Sequence, residues 1–131
     1  MRQLALLVAV AALLSAEVAR AAQSGCAATV ELSSLPKAGH QAGQPWLVTV
    51  RVLQHGIRPL AGAKPEIRIQ KTGRLTTFRG RPTATVGSYR FRVVFPAAGR
   101  WTVTVFDGFV PNCARVHTFK PVTIVPADLA P

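Results

Sequence analysis

From Ser88 to Phe95 the chain alternates: Tyr89, Phe91, Val93 and Phe95 fall on one side, Arg90 and Arg92 on the other. A period of two is the signature of a half-buried β-strand, and a helix cannot gather those four apolar residues on one face. Pro96-Ala97-Ala98-Gly99 reads as a four-residue hairpin turn, and Arg100 to Phe106 resumes the alternation with Trp101, Val103 and Val105 inward. The same pattern occurs upstream. Ala28 to Ser33 carries Val30 and Leu32 on one face, Pro45 to Gln54 carries Val48, Val50 and Val52, and Glu66 to Gln70 carries Ile67 and Ile69. Two short edge strands are expected near Leu75–Arg79 and Thr83–Val86, where threonine and arginine suit exposed edges. Val116 to Val125 supplies the last strand, interrupted by Pro121 at an edge or a bulge. The connections Leu35–Gln44 and His55–Pro65 are rich in proline and glycine, and nothing after the first residues keeps helical spacing. About seven strands in roughly 100 residues predict an all-β domain, an immunoglobulin-like Greek-key β-sandwich.

The N-terminus has a different character. Arg2 precedes an unbroken apolar run from Leu4 to Leu14, and Ala19-Arg20-Ala21 places small residues where a signal peptidase reads them. A membrane span needs about 20 apolar residues, and Glu17 ends this run too early. Residues 1–21 are therefore read as a signal peptide and residues 22–131 as one mature domain, secreted or periplasmic, with no transmembrane helix after cleavage. Ser24-Gly25-Cys26 also resembles the end of a lipobox, which leaves lipidation of Cys26 as an alternative. Gln23 stands there where an apolar residue is expected.

Removing Arg2, Arg20 and Glu17 with the leader takes the formal charge from +11 to +10. A basic exported protein is drawn to anionic lipid, cell-wall polymer or an acidic protein. Nucleic acid is excluded as a partner by export and by the lack of a recognition motif.

The mature domain holds two cysteines, Cys26 and Cys113. An even count in an oxidising compartment suggests a disulfide. In the Greek-key topology Cys26 precedes the first strand and Cys113 sits in the loop before the last, at the same end of the sandwich, where a bridge is geometrically feasible.

The segment Gly87-Ser88-Tyr89-Arg90-Phe91-Arg92-Val93-Val94-Phe95-Pro96-Ala97-Ala98-Gly99-Arg100-Trp101-Thr102-Val103-Thr104-Val105 resembles the C-terminal half of the YtkA-like and FixH-like exported domains. A Gly-x-Tyr strand entry, a Pro/Gly turn and a Gly-x-Trp entry carry the likeness. Pro59-Leu60-Ala61-Gly62-Ala63 adds the P-x-x-G-A loop that precedes a central strand in many such sandwiches. The resemblance implies the sandwich fold, and it implies copper handling or oxidase assembly for some family members. Met1 is the only methionine, so this chain lacks the methionine-rich motifs of exported copper(I) carriers.

Chemistry-bearing groups are few. The mature chain has four carboxylates, Glu31, Glu66, Asp107 and Asp128, with no spacing typical of paired acid–base work, and no nucleophile elbow or phosphate-cradling glycine loop occurs. The chain is thus read as no enzyme. A metal site is the sharper alternative: His55, Asp107 and His117 belong to loops at one end, and two imidazoles with a carboxylate would take copper(II) or zinc if they converge. His40 belongs to the opposite end. Arg51, Arg90 and Arg92 are expected on the outer face of one sheet, with Glu31 beside them, as either an ordinary solvated face or a basic docking surface. Trp101 is expected in the core, and Trp46 over one end of the sandwich. No cofactor is required. The leading expectation is a non-catalytic accessory module that binds a protein or an anionic cell-envelope component, with peripheral membrane contact as one form of that binding.

Overall fold

The structure, a computed structural model, describes residues 27–109 and 113–128. The leader and Cys26 lie outside the described residues, and the signal-peptide and lipidation readings lie outside them too. Among the described residues ten strands are formed: β1 (Ala28–Leu32), β2 (Pro45–Gln54), β3 (Arg58–Pro59), β4 (Glu66–Lys71), β5 (Arg74–Arg79), β6 (Arg81–Pro82), β7 (Ser88–Val94), β8 (Gly99–Phe106), β9 (Val116–Thr118) and β10 (Val122–Ile124). There is no helix among the described residues.

The strands make two antiparallel sheets stacked on one core, an all-β sandwich. One sheet runs β1-β2-β7-β6 with β3 also on β2, and the other runs β10-β8-β4-β5 with β9 also on β8. The central ladder of the first sheet sets Val48 opposite Phe91 and Val50 opposite Tyr89. That of the second sets Ile67 opposite Val105 and Ile69 opposite Val103. Because side chains alternate across a strand, this register sends one set from each sheet into a shared layer. The layer holds Trp46, Val48, Val50, Val52, Tyr89, Phe91 and Val93 from the first sheet. Ile67, Ile69, Trp101, Val103, Val105, Val122 and Ile124 meet them from the second. Trp46 closes one end of this layer, with its ring stacked on Phe95 at 6.3 Å.

Three local expectations are corrected. Pro96–Gly99 is an arch and not a hairpin: β7 and β8 lie in different sheets and do not pair. Phe95 and Trp101, at the two feet of the arch, are both wholly buried and meet edge to face across the core at 5.8 Å. Pairing β7 with β8 in one sheet would forfeit that contact. The expected strand at Thr83–Val86 is a turn. Thr83 Oγ1 accepts from the backbone N–H of Thr85 at 3.2 Å, and Gly87 takes φ 82°, so the local bonding replaces a ladder. The edge strand forms just before it, as β6. Finally, β3 arises within the loop after His55 and adds two residues to the edge of β2.

Pro121 behaves as its missing N–H requires. Thr118 pairs with Thr104 and Val122 with Trp101, so the chain advances one residue further than β8 between those pairs. The extra residue makes a bulge that splits the last strand into β9 and β10.

A single residue, Gly80, carries the chain from β5 in one sheet to β6 in the other. A Cβ there would sit 2.6 Å from Cε2 and Cζ of the buried Phe91, so only glycine lets the backbone cross against that ring. The crossing leaves Arg79 and Arg81 separated by that one residue.

Candidate functional site

The outer face of the first sheet is built by the same alternation that fills the core. Burying Phe91 and Val93 turns Arg90 and Arg92 outward on β7. The β2–β7 register places Leu47 opposite Arg92, Thr49 opposite Arg90 and Arg51 opposite Ser88. On the other flank Glu31 pairs with Arg51, and their side chains form an ion pair at 3.6 Å. Arg51, Arg90 and Arg92 therefore do share one face, and Glu31 does lie beside Arg51. The pair is half-exposed, so its contribution is at most about 1 kcal/mol. It nevertheless neutralises Arg51 locally and separates it from the other two.

Arg90 and Arg92 instead gather with two arginines whose sequence context marks them only as edge residues. Arg79 ends β5 and Arg81 begins β6, on either side of Gly80. Together the four arginines line a surface groove of about 680 Å³, with Leu47 and Phe78 contributing its apolar part. Leu47 is 67% exposed, which is high for a leucine in the middle of a sheet. The signal in the sequence is Arg79-Gly80-Arg81-Pro82. A glycine between two arginines, with a proline stop, marks a strand that changes sheets, but nothing local says which face it lands on.

The electrostatics of this groove are one-sided. The β6–β7 register sets Arg81 directly opposite Arg90. Like charges directly opposite across a ladder are destabilising, by up to about 1 kcal/mol. Three acidic residues are held by other partners: Glu31 by Arg51, Glu66, which stands opposite Arg79 across the β4–β5 ladder, by Arg68 at 3.2 Å, and Asp107 by His117 at 2.9 Å. The backbone N–H of Asp128 donates to Gln41 Oε1. Among the described residues, no ion pair joins any of the four groove arginines to a carboxylate.

A second pocket, of about 640 Å³, adjoins the groove and shares Arg79 and Pro82 with it. Its floor is Ala63 and Tyr89, both buried, and Phe106 forms one wall. The guanidinium of Arg68 lies 4.7 Å over the Phe106 ring while it bonds Glu66, so the carboxylate at this rim is already satisfied. Tyr89 donates its hydroxyl proton to the carbonyl of Leu60 at 2.8 Å. Burial pushes the phenol above its usual pKa of 10.0, and a backbone hydrogen bond from Ala63 partly offsets this. The phenol is thus a neutral, largely apolar wall.

The expected metal residues come together only in part. Asp107 is wholly buried. Its Oδ1 accepts from the backbone N–H of Phe109 at 3.0 Å and of Arg115 at 3.1 Å, and Oδ2 accepts from His117 Nε2 at 2.9 Å. The carboxylate braces the loop between β8 and β9. His55 sits at the β2–β3 turn, at φ 53°, with its backbone N–H bonded to Ala27. Among the described residues, no group of three His, Cys, Asp or Glu side chains is close enough to hold a metal ion. His40 is buried at the other end, where Nε2 contacts the carbonyl of Gln44 at 2.8 Å. Cys113 is buried in the braced loop, at the end of the sandwich where β1 begins. No helix of the described residues is long and apolar enough to cross a membrane.

In comparisons with known proteins, no family model matches this sequence and no curated protein matches it.

Proposed function

We propose that this chain is an exported, non-catalytic accessory module that engages a phosphate-bearing, anionic component of the cell envelope through the arginine groove of β5, β6 and β7. One observation carries the reading: four arginines line one groove, Arg81 and Arg90 directly opposed, and none of the four makes an ion pair with a carboxylate among the described residues, Glu66, which stands opposite Arg79, being held by Arg68. Such an arrangement costs stability in the free protein and is relieved by a bound anion, for which arginine is the best-suited side chain. The Leu47 side chain at the same place favours a ligand that is not purely ionic.

Vesicles of phosphatidylglycerol and phosphatidylcholine provide the test. The mature protein is expected to sediment with them in a salt-sensitive manner and to ignore vesicles of phosphatidylcholine alone. Arg81→Ala combined with Arg90→Ala is expected to lower the affinity by about 30-fold, roughly fivefold per arginine at an anionic surface. Equal binding to neutral vesicles, or full affinity in the double variant, would overturn the proposal.

The exported state belongs to the same proposal. It comprises cleavage after Ala21, a secreted or periplasmic location, a bond between Cys26 and Cys113, and an immunoglobulin-like sandwich of the YtkA-like and FixH-like kind. The two central ladders and the β7–β8 arch support the sandwich type. The absence of a free cysteine among the described residues and the shared end of β1 and the Cys113 loop support the bond. Intact-mass analysis of protein recovered from the exported fraction should give residues 22–131, two hydrogens lighter than the dithiol. A mass with the leader attached, or with both thiols reactive, contradicts that part.

A further inference from the structure

The arginine groove and its apolar neighbour are halves of one surface feature, because Arg79 and Pro82 belong to both. We infer that the protein binds a single anionic amphiphile, a phosphate head held by the arginines with its alkyl chain in the pocket of Ala63, Pro65, Gly80, Pro82, Tyr89 and Phe106. This rests on the anion reading above and adds the chemical class of the ligand and the path of its apolar part.

The placement comes from the sheet crossing. At Gly80 the chain leaves β5 and enters β6, and its backbone N–H is bonded to the carbonyl of Pro65 at 3.4 Å. Arg79 and Arg81 are exposed on either side of the crossing, and the pocket beside it is lined by Ala63, Lys64, Pro65 and Tyr89 as well as by Arg79 itself. A ligand resting its charge on Arg79 and Arg81 therefore has an apolar cleft directly beside it. Its lining includes the small or rigid groups Ala63, Pro65, Gly80 and Pro82 and the aromatic residues Tyr89 and Phe106, with Lys64 beside them. Its one acidic neighbour, Glu66, is held by Arg68. A volume of about 640 Å³ lies within the range of pockets that enclose small organic ligands. A fully polar ligand would leave this wall unused, and an uncharged alkyl compound would leave the arginines unanswered.

Titration calorimetry with butyl, hexyl and octyl phosphate, all below their micelle concentrations, tests the inference on the mature protein. Affinity is expected to rise about fourfold per added methylene. In a nitrogen–proton correlation spectrum the amides of Ala63 and Gly80 should shift with octyl phosphate and not with inorganic phosphate. Arg81→Ala with Arg90→Ala should weaken the whole series by one common factor and keep its slope. Ala63→Phe should abolish the slope while sparing inorganic phosphate binding, and if that variant does not fold, the wild-type series alone decides. A flat series in a protein that still binds anionic vesicles overturns the amphiphile inference and leaves the anion groove standing. Failure of the vesicle experiment as well removes the groove reading itself.

Discussion

Replacing Asp107 by alanine is expected to cost about 3–5 kcal/mol of folding stability, on the scale for breaking a buried hydrogen-bond network. The carboxylate is wholly buried and accepts from two backbone N–H groups and from His117. Alanine would leave all three donors without that acceptor at a wholly buried position. Domains of this size are stable by only about 5–15 kcal/mol, so the loss is a large share of the total. The urea midpoint should fall by at least about 1 M. Asp107→Asn keeps one acceptor oxygen and should fall between wild type and alanine. His117→Ala removes only a partly exposed partner and should cost less than either. A midpoint for Asp107→Ala equal to wild type would show that the loop between β8 and β9 is held by something other than this carboxylate.

Trp101→Ala is expected to have an effect of similar size, through packing instead of polar satisfaction. The indole is wholly buried between the sheets and meets Phe95 edge to face at 5.8 Å. Its Nε1 donates to the carbonyl of Ala97 at 2.9 Å, fixing the arch between β7 and β8. Lys71, on the neighbouring strand β4, approaches the ring with Nζ 6.0 Å from its centroid. Truncating a buried tryptophan typically costs about 3–5 kcal/mol, because the cavity collapses only in part. Trp101→Phe keeps ring contact and loses the N–H donor, so it should cost about 1–2 kcal/mol. Thermal or urea melts of the two variants check this. A loss below about 1 kcal/mol for Trp101→Ala would mean that Phe95 and Trp46 close the gap without it.

These two residues also show where the sequence is readable. Trp101 begins a strand whose alternation is unbroken, and its burial follows from its phase with Val103 and Val105. The same logic locates β2, β4 and β7 to within a residue or two. It fails at connections. Pro96–Gly99 has the composition of a hairpin, yet the choice between hairpin and arch is made by Phe95 and Trp101 meeting across the core. Thr83–Val86 has strand-forming residues, yet the Thr83 hydroxyl bonds the backbone of Thr85 and turns the chain.

The site is legible in one half only. Arg90 and Arg92 follow from the phase of β7. Arg79 and Arg81 reach the same groove because the chain changes sheets at Gly80, and that landing depends on contact with Phe91, a residue distant in sequence. Topology alone is enough to put Asp107 and His117 at one end. The bracing role of the carboxylate depends on backbone donors at Phe109 and Arg115, which no side-chain pattern announces.

The two central ladders have a bearing on how quickly the molecule reaches its native state. Val48 must find Phe91, and Ile69 must find Val103, before either sheet gains a middle. Long stretches of polypeptide are closed into loops before those contacts repay the lost freedom. Topologies of this sort fold in milliseconds to seconds, while helical bundles take microseconds to milliseconds. During that interval the apolar faces of β2 and β7 are open to other chains, which makes dilution a favourable condition for recovering the native sandwich.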